Sequence, residues 1–186
     1  MKLPIESLGF GSVEPGRSLS SDDENGHVVD SAIGQVPHES ATGTPQPVNG
    51  TYNGVWLSRY EYYSSGRDAT FTAVHYVVVL QHGDALTVRS LPESAISALE
   101  VDLTIDGNVA TGTWTERTAT DGYYRGAKYH GAIQLLIELT GTRMAGKWIG
   151  FGKSFDINSG PWELILQDRS TSKATLDAYS RPPTVD

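Results

Sequence analysis

The sequence predicts an all-β fold, an eight-stranded antiparallel up-and-down barrel with a disordered N-terminal tail, and three observations carry that prediction. All four tryptophans stand in one frame, Gly-x-Trp: Gly54-Val55-Trp56, Gly112-Thr113-Trp114, Gly146-Lys147-Trp148 and Gly160-Pro161-Trp162. Side chains alternate faces along a strand, so each glycine shares a face with its tryptophan one pleat away. A bare residue beside the largest one lets the indole lie over backbone and gives the strand a place to bend, as closure of a small barrel requires. The second observation is that residues 52–167 break into short alternating or β-branched runs separated by turn residues. The third is that no long segment repeats its apolar residues at the helical period.

In chain order, Tyr52–Tyr63 opens the set with the first Gly-x-Trp frame and alternates. Thr70–Gln81 holds the run Val74-His75-Tyr76-Val77-Val78-Val79-Leu80, too β-branched for a helix. Gly83-Asp84 turns the chain into Ala85–Leu91. Leu99–Ile105 alternates strictly, with Leu99, Val101, Leu103 and Ile105 on one face and Glu100, Asp102 and Thr104 on the other. Asp106-Gly107 is a two-residue hairpin signal leading into Val109–Arg117. A longer loop, Thr118–Gly131, precedes Ala132–Leu139. The turn Thr140-Gly141-Thr142 then gives Met144–Phe151, and Pro161–Gln167 completes the barrel.

Composition sets the frame around it. The 186 residues suit one domain with a sizeable core. Residues 1–48 combine seven acids against Lys2 and Arg17 with few large apolar side chains, and read as a disordered acidic tail or linker. The barrel is expected over 49–168. Residues 169–186 read as a C-terminal tail in which Leu176 and Tyr179 form one helical turn against the barrel. There is no cysteine, which removes disulfides and thiolate chemistry. The first residues carry no apolar leader and no run is long enough to span a bilayer, so a cytoplasmic location and no membrane partner are expected. A net charge of −8 argues against direct contact with nucleic acid.

The context Gly50-Thr51-Tyr52-Asn53-Gly54-Val55-Trp56 resembles the signature that opens the first strand of lipocalins and related calycins. That resemblance implies an eight-stranded barrel around a small-molecule cavity, with Trp56 plugging the closed end and a late arginine, Arg169, packing over it. Most lipocalins are secreted with disulfides, so a cytoplasmic bacterial branch is nearer. A second, local resemblance joins residues 54–62, 123–131 and 146–152 to the C-terminal region of actinobacterial helix-turn-helix regulators. Residues 1–48 contain no helix-turn-helix, so this resemblance implies a sensor-like module without the DNA-binding domain.

Strand parity proposes a lumen. If Trp56 points inward, Ser58, Tyr60 and Tyr62 follow it. Trp114 brings Gly112 and Glu116, Trp148 brings Met144, Gly146 and Gly150, and Trp162 brings Leu164 and Leu166. Apolar faces add residues such as Leu86, Val88, Leu103, Ile133, Leu135, Ile137 and Leu139. In the second strand the parity is open: either His75 or Tyr76 faces in. An apolar wall with sparse polar points is the make-up of a ligand cavity, while a barrel filled by its own side chains fits the same pattern.

Glu116 is the candidate catalytic residue, because an inward carboxylate partly shielded from water can hold or pass a proton. In the loop 118–131, Tyr123, Tyr124 and Arg125 form a candidate lid over an aromatic or anionic guest. Histidine spacing gives no metal site, and no cofactor fingerprint is present. The ligand-binding candidates are thus Ser58, Tyr60, Tyr62, His75, Tyr76, Trp114, Glu116, Tyr123, Tyr124, Arg125 and Trp148. Together they suggest non-covalent binding of a small apolar or aromatic molecule by a sensor or carrier. The alternatives are a lyase, cyclase or isomerase, and an interaction module associated with transcriptional regulation. A homodimer or a regulatory protein partner stays open.

Overall fold

The computed structural model describes residues 51–151 and 156–184. Its strands are β1 (Gly54–Ser64), β2 (Ala69–His82), β3 (Ala85–Ser90), β4 (Ala98–Asp106), β5 (Val109–Arg117), β6 (Lys128–Ile137), β7 (Arg143–Phe151) and β8 (Ile157–Asp168). They pair antiparallel in chain order and β8 returns to β1, so the sheet is a closed eight-stranded up-and-down barrel, as the sequence predicts. The acidic segment 1–48 lies outside the described residues.

Alternation along each strand decides what faces in. Trp56 and Ser58 are fully buried, as are Val77 and Val79 on β2. This settles the open parity of β2: His75 is inside and Tyr76 is outside. Tyr76 instead packs edge-on, ring centroids 4.8 Å apart, against Tyr179 of the helix α1 (Lys173–Tyr179). That helix starts at Ser172, whose hydroxyl accepts from the Thr175 amide at 3.2 Å. Leu139, expected inside, lies beyond the end of β6 and is 57% exposed.

Closure rests on the inward glycines, in a way that differs from the sequence reading. A Cβ on Gly112, Gly131, Gly146 or Gly160 would collide with the carbonyl of Asp102, Ile149, Gln134 or Glu61 on the neighbouring strand. At these points one strand folds into the space a side chain would fill, and the sheet coils tightly enough to close. The indoles do not rest on the glycine of their own frame. Trp114 on β5 lies across Gly131 on β6 and Gly150 on β7, and Trp148 on β7 lies across Gly160 on β8. Curvature brings neighbouring strands beneath the rings, and Trp148 lies against Gly150 of its own strand as well. For the same reason β6 and β8 each begin four residues earlier than expected, at Lys128 and Ile157. Gly131 falls in the expected loop and Gly160 one residue before the expected start of its strand, yet both are strand positions kept bare for an indole.

The two ends differ. The turns after β2, β4 and β6 gather at one end, where Trp56, Leu86, Leu135, Met144 and Leu164 fill the interior completely. The chain entering β1 is pinned there: Trp56 Nε1 donates to the Tyr52 carbonyl at 3.1 Å, and the Tyr52 amide donates to Gln81 Oε1 at 2.9 Å. Arg169 comes to the same end, its Cα against Gly54. Each buried indole is worth roughly 5 kcal/mol of transfer free energy. The exposed ion pairs, such as Arg89–Glu100, contribute little beside this.

The outer faces carry Asp102, Thr111, Thr113, Gln134 and Lys147 together with exposed Leu80, Leu136 and Ile149. No helix among the described residues is long and apolar enough to cross a membrane.

Candidate functional site

The other end of the barrel is open. Alternating strand direction brings the β1–β2 hairpin, the β3–β4 and β5–β6 connections and the start of β8 to this mouth, which holds a cavity of about 830 Å³. Trp114, Trp148 and Trp162 form its floor, and Tyr60, Tyr62 and Tyr129 line its wall. The lumen is therefore half filled and half hollow.

The floor is rigidly built. Trp162 stacks obliquely on Tyr60 at 4.6 Å, and Trp114 meets Trp148 edge-on at 5.4 Å. Every indole N–H of this floor is used by the wall. Trp114 Nε1 donates to the Ile149 carbonyl at 3.1 Å, Trp148 Nε1 to the Glu61 carbonyl at 2.9 Å, and Trp162 Nε1 to Ser58 Oγ at 3.0 Å. What the rings turn to the cavity is carbon and π-face.

Glu116 is the polar point of the wall, one pleat nearer the mouth than Trp114. Its Oε1 accepts from Tyr60 OH at 3.1 Å and from Ser97 Oγ. Burial, with the Glu116 carboxylate second, pushes the Tyr60 phenol well above its ordinary pKa. It stays protonated and acts as a donor.

The connection between β5 and β6 packs against the β1–β2 hairpin at the edge of the mouth. Tyr124 OH lies 2.5 Å from Ser64 Oγ, and Tyr123 OH donates to the Gly66 carbonyl at 3.1 Å. Arg67 in the β1–β2 hairpin clasps it: its guanidinium sits over Phe71 at 4.1 Å, Tyr123 at 5.2 Å and Tyr124 at 5.5 Å. Arg125 lines the rim with φ 49°, a left-handed conformation uncommon outside glycine.

Of the residues named from the sequence, Tyr60, Tyr62, Trp114, Glu116, Tyr123, Tyr124, Arg125 and Trp148 meet at this cavity. Ser58 and His75 point inward but do not line it. Ser58 is occupied by Trp162, and His75 lies edge-on to Tyr60 at 6.0 Å with Nε2 buried and unpartnered. Tyr76 is on the outside. The ligand-binding set named from the sequence lacks Arg67, Ser97, Tyr129 and Trp162, all of which line the cavity. Tyr129 was legible, since it shares its face with Gly131 and Ile133. Arg67 and Ser97 follow once alternate connections of an up-and-down barrel are placed at one end. No group of metal-ligating side chains occurs among the described residues.

The fold is that of a closed up-and-down β-barrel, packed at one end and hollow and aromatic at the other. No protein-family model matches the chain, and neither does any curated protein. Among solved structures it is similar to a variant of the vaccine antigen transferrin-binding protein B from Haemophilus parasuis. The identity is 12% and the TM-score 0.43, over 65% of this chain and 28% of that one.

Proposed function

We propose that the chain binds a small, largely apolar or aromatic molecule non-covalently in the mouth of the barrel, and serves as a carrier or as the sensor part of a cytoplasmic regulatory system. The observation that carries this reading is the cavity of about 830 Å³ floored by three indoles whose N–H groups are already satisfied. Such a volume suits one drug-sized molecule, and sparse polar groups set into an aromatic wall are how such sites orient a guest. The likeness of the first strand to lipocalins and other calycins agrees with it, as does Trp56, fully buried at the opposite end.

Native mass spectrometry of the freshly isolated full chain tests the reading. An adduct lost on denaturation supports it. A bare mass, together with indole NMR signals of Trp114 and Trp148 that ignore every aromatic guest tried, overturns it.

One observation favours a second reading, an enzyme of the lyase, cyclase or isomerase type. The hydrogen-bonded set Glu116, Tyr60 and Ser97 places an acid–base group inside the cavity. Its partner on that reading is Tyr60 rather than His75, whose free nitrogen does not reach the cavity. Turnover of the co-purified molecule, abolished by Glu116→Gln, separates an enzyme from a carrier.

A further inference from the structure

We infer that the mouth of the barrel selects an organic ammonium: a protonated amine on an aromatic or apolar body, its nitrogen seated between Glu116 and the ring faces. This rests on the cavity being a ligand site, as proposed above, and adds the charge of the guest.

The inference follows from where the donors and acceptors of the cavity point. An anion needs N–H or O–H groups aimed at it, and the floor offers none, because Trp114, Trp148 and Trp162 all spend theirs on the barrel wall. The Tyr60 and Ser97 hydroxyls also point away from a guest, both into Glu116 Oε1. The faces of these rings carry partial negative charge and attract a cation, most strongly where water is excluded.

The carboxylate completes the site. Both hydrogen bonds of Glu116 fall on Oε1, so Oε2 has no described donor, and no described basic side chain pairs with Glu116. Glu116 lines the cavity among ring faces without an ion-pair partner among the described residues, so a cationic guest meets no competing charge at its carboxylate. An N–H bearing cation supplies both what Oε2 lacks and what the π-faces favour.

The rim repeats the same chemistry with a cation of the protein's own. Arg67 lies over three rings, those of Phe71, Tyr123 and Tyr124, and donates to the Tyr124 hydroxyl at 3.5 Å at the rim of the cavity. Arg125 and Asp156 both line the cavity with the rim residues, opposite in sign. With Arg67 they make three charged groups at the rim, and below it Glu116 is the charged residue among those lining the cavity.

Calorimetric titration of the full-length chain with three probes sharing one body tests this: 2-phenylethylammonium, 2-phenylethanol and 3-phenylpropanoate. The ammonium is expected to bind at least ~10-fold tighter than the alcohol, with the carboxylate weakest. In Glu116→Gln the advantage of the ammonium over the alcohol should be lost, and an advantage that persists would overturn the assignment. Equal binding of all three, or preference for the carboxylate, overturns the ammonium assignment and leaves the cavity reading standing. Failure of all three to bind up to ~10 mM overturns both. The probe series on the unaltered chain decides the matter even if the variant does not fold.

Discussion

His75 shows how a single residue inherits its chemistry from its neighbours. It is buried, its Nε2 has no partner, and burial lowers its pKa from 6.5 to about 4. Above pH 6.5 the imidazole is neutral whether the chain is folded or not, and stability is full. As pH falls from there toward about 4, the unfolded chain takes up a proton that the folded one resists, and stability is lost. The loss amounts to roughly 3 kcal/mol for this group alone. His75→Leu should therefore flatten the fall in urea midpoint between pH 7 and pH 4.5 relative to the parent chain, and an unchanged slope would refute the assignment. Gly131 offers a second test at this scale. An added Cβ would meet the Ile149 carbonyl and lie 2.8 Å from Trp114 Nε1, so Gly131→Ala should cost about 1–3 kcal/mol. Gly122→Ala, whose nearest new contact is 3.5 Å from the Ala119 carbonyl, should cost far less in the same denaturation series.

At the scale of elements, the candidate lid between β5 and β6 depends on the β1–β2 hairpin, because Arg67, Ser64 and the Gly66 carbonyl hold Tyr123 and Tyr124. Arg67→Ala should raise hydrogen exchange across 118–127 several-fold while leaving the strands below unaffected. Exchange rates equal to the parent's would mean the lid closes without this clasp. Replacing Tyr124 and Arg125 together by Ala should weaken guest binding by about tenfold, ~1.4 kcal/mol, and unchanged affinity would retire the lid. The same elements mark what was legible in the sequence. Strictly alternating β4 could be read residue by residue, since a period of two with polar and apolar faces has one solution. In β2 both faces are apolar, the outer one partly covered by α1, so alternation alone gave two answers for His75 and Tyr76. The starts of β6 and β8 were obscured because glycine signals a loop locally, while here it answers to an indole projecting from another strand. That relation is tertiary and leaves no mark within a short window of sequence.

For the whole molecule, strand number and order followed from turns and alternation, and the closed barrel realises them. Whether the barrel is hollow did not follow, because interior volume depends on the register between strands and on which way each ring leans. The indoles stand on β1, β5, β7 and β8 of one continuous sheet, so no part of the barrel is able to melt without breaking closure. Unfolding followed by tryptophan fluorescence and by far-ultraviolet circular dichroism should give coincident transitions. Separate midpoints would mean that the mouth half opens on its own.

The contrast between the filled base and the vacant brim has a consequence for how such a chain changes over time. At the base the fold is secured by side chains that do not line the cavity, Trp56, Leu86, Leu135, Met144 and Leu164, whereas the exposed rim and the β5–β6 connection add little to the core. Exchanging Ser97, Tyr129 or the residues of the lid should therefore redirect what the cup accepts while the vessel keeps its form, giving new selectivities without first having to reinvent the wall.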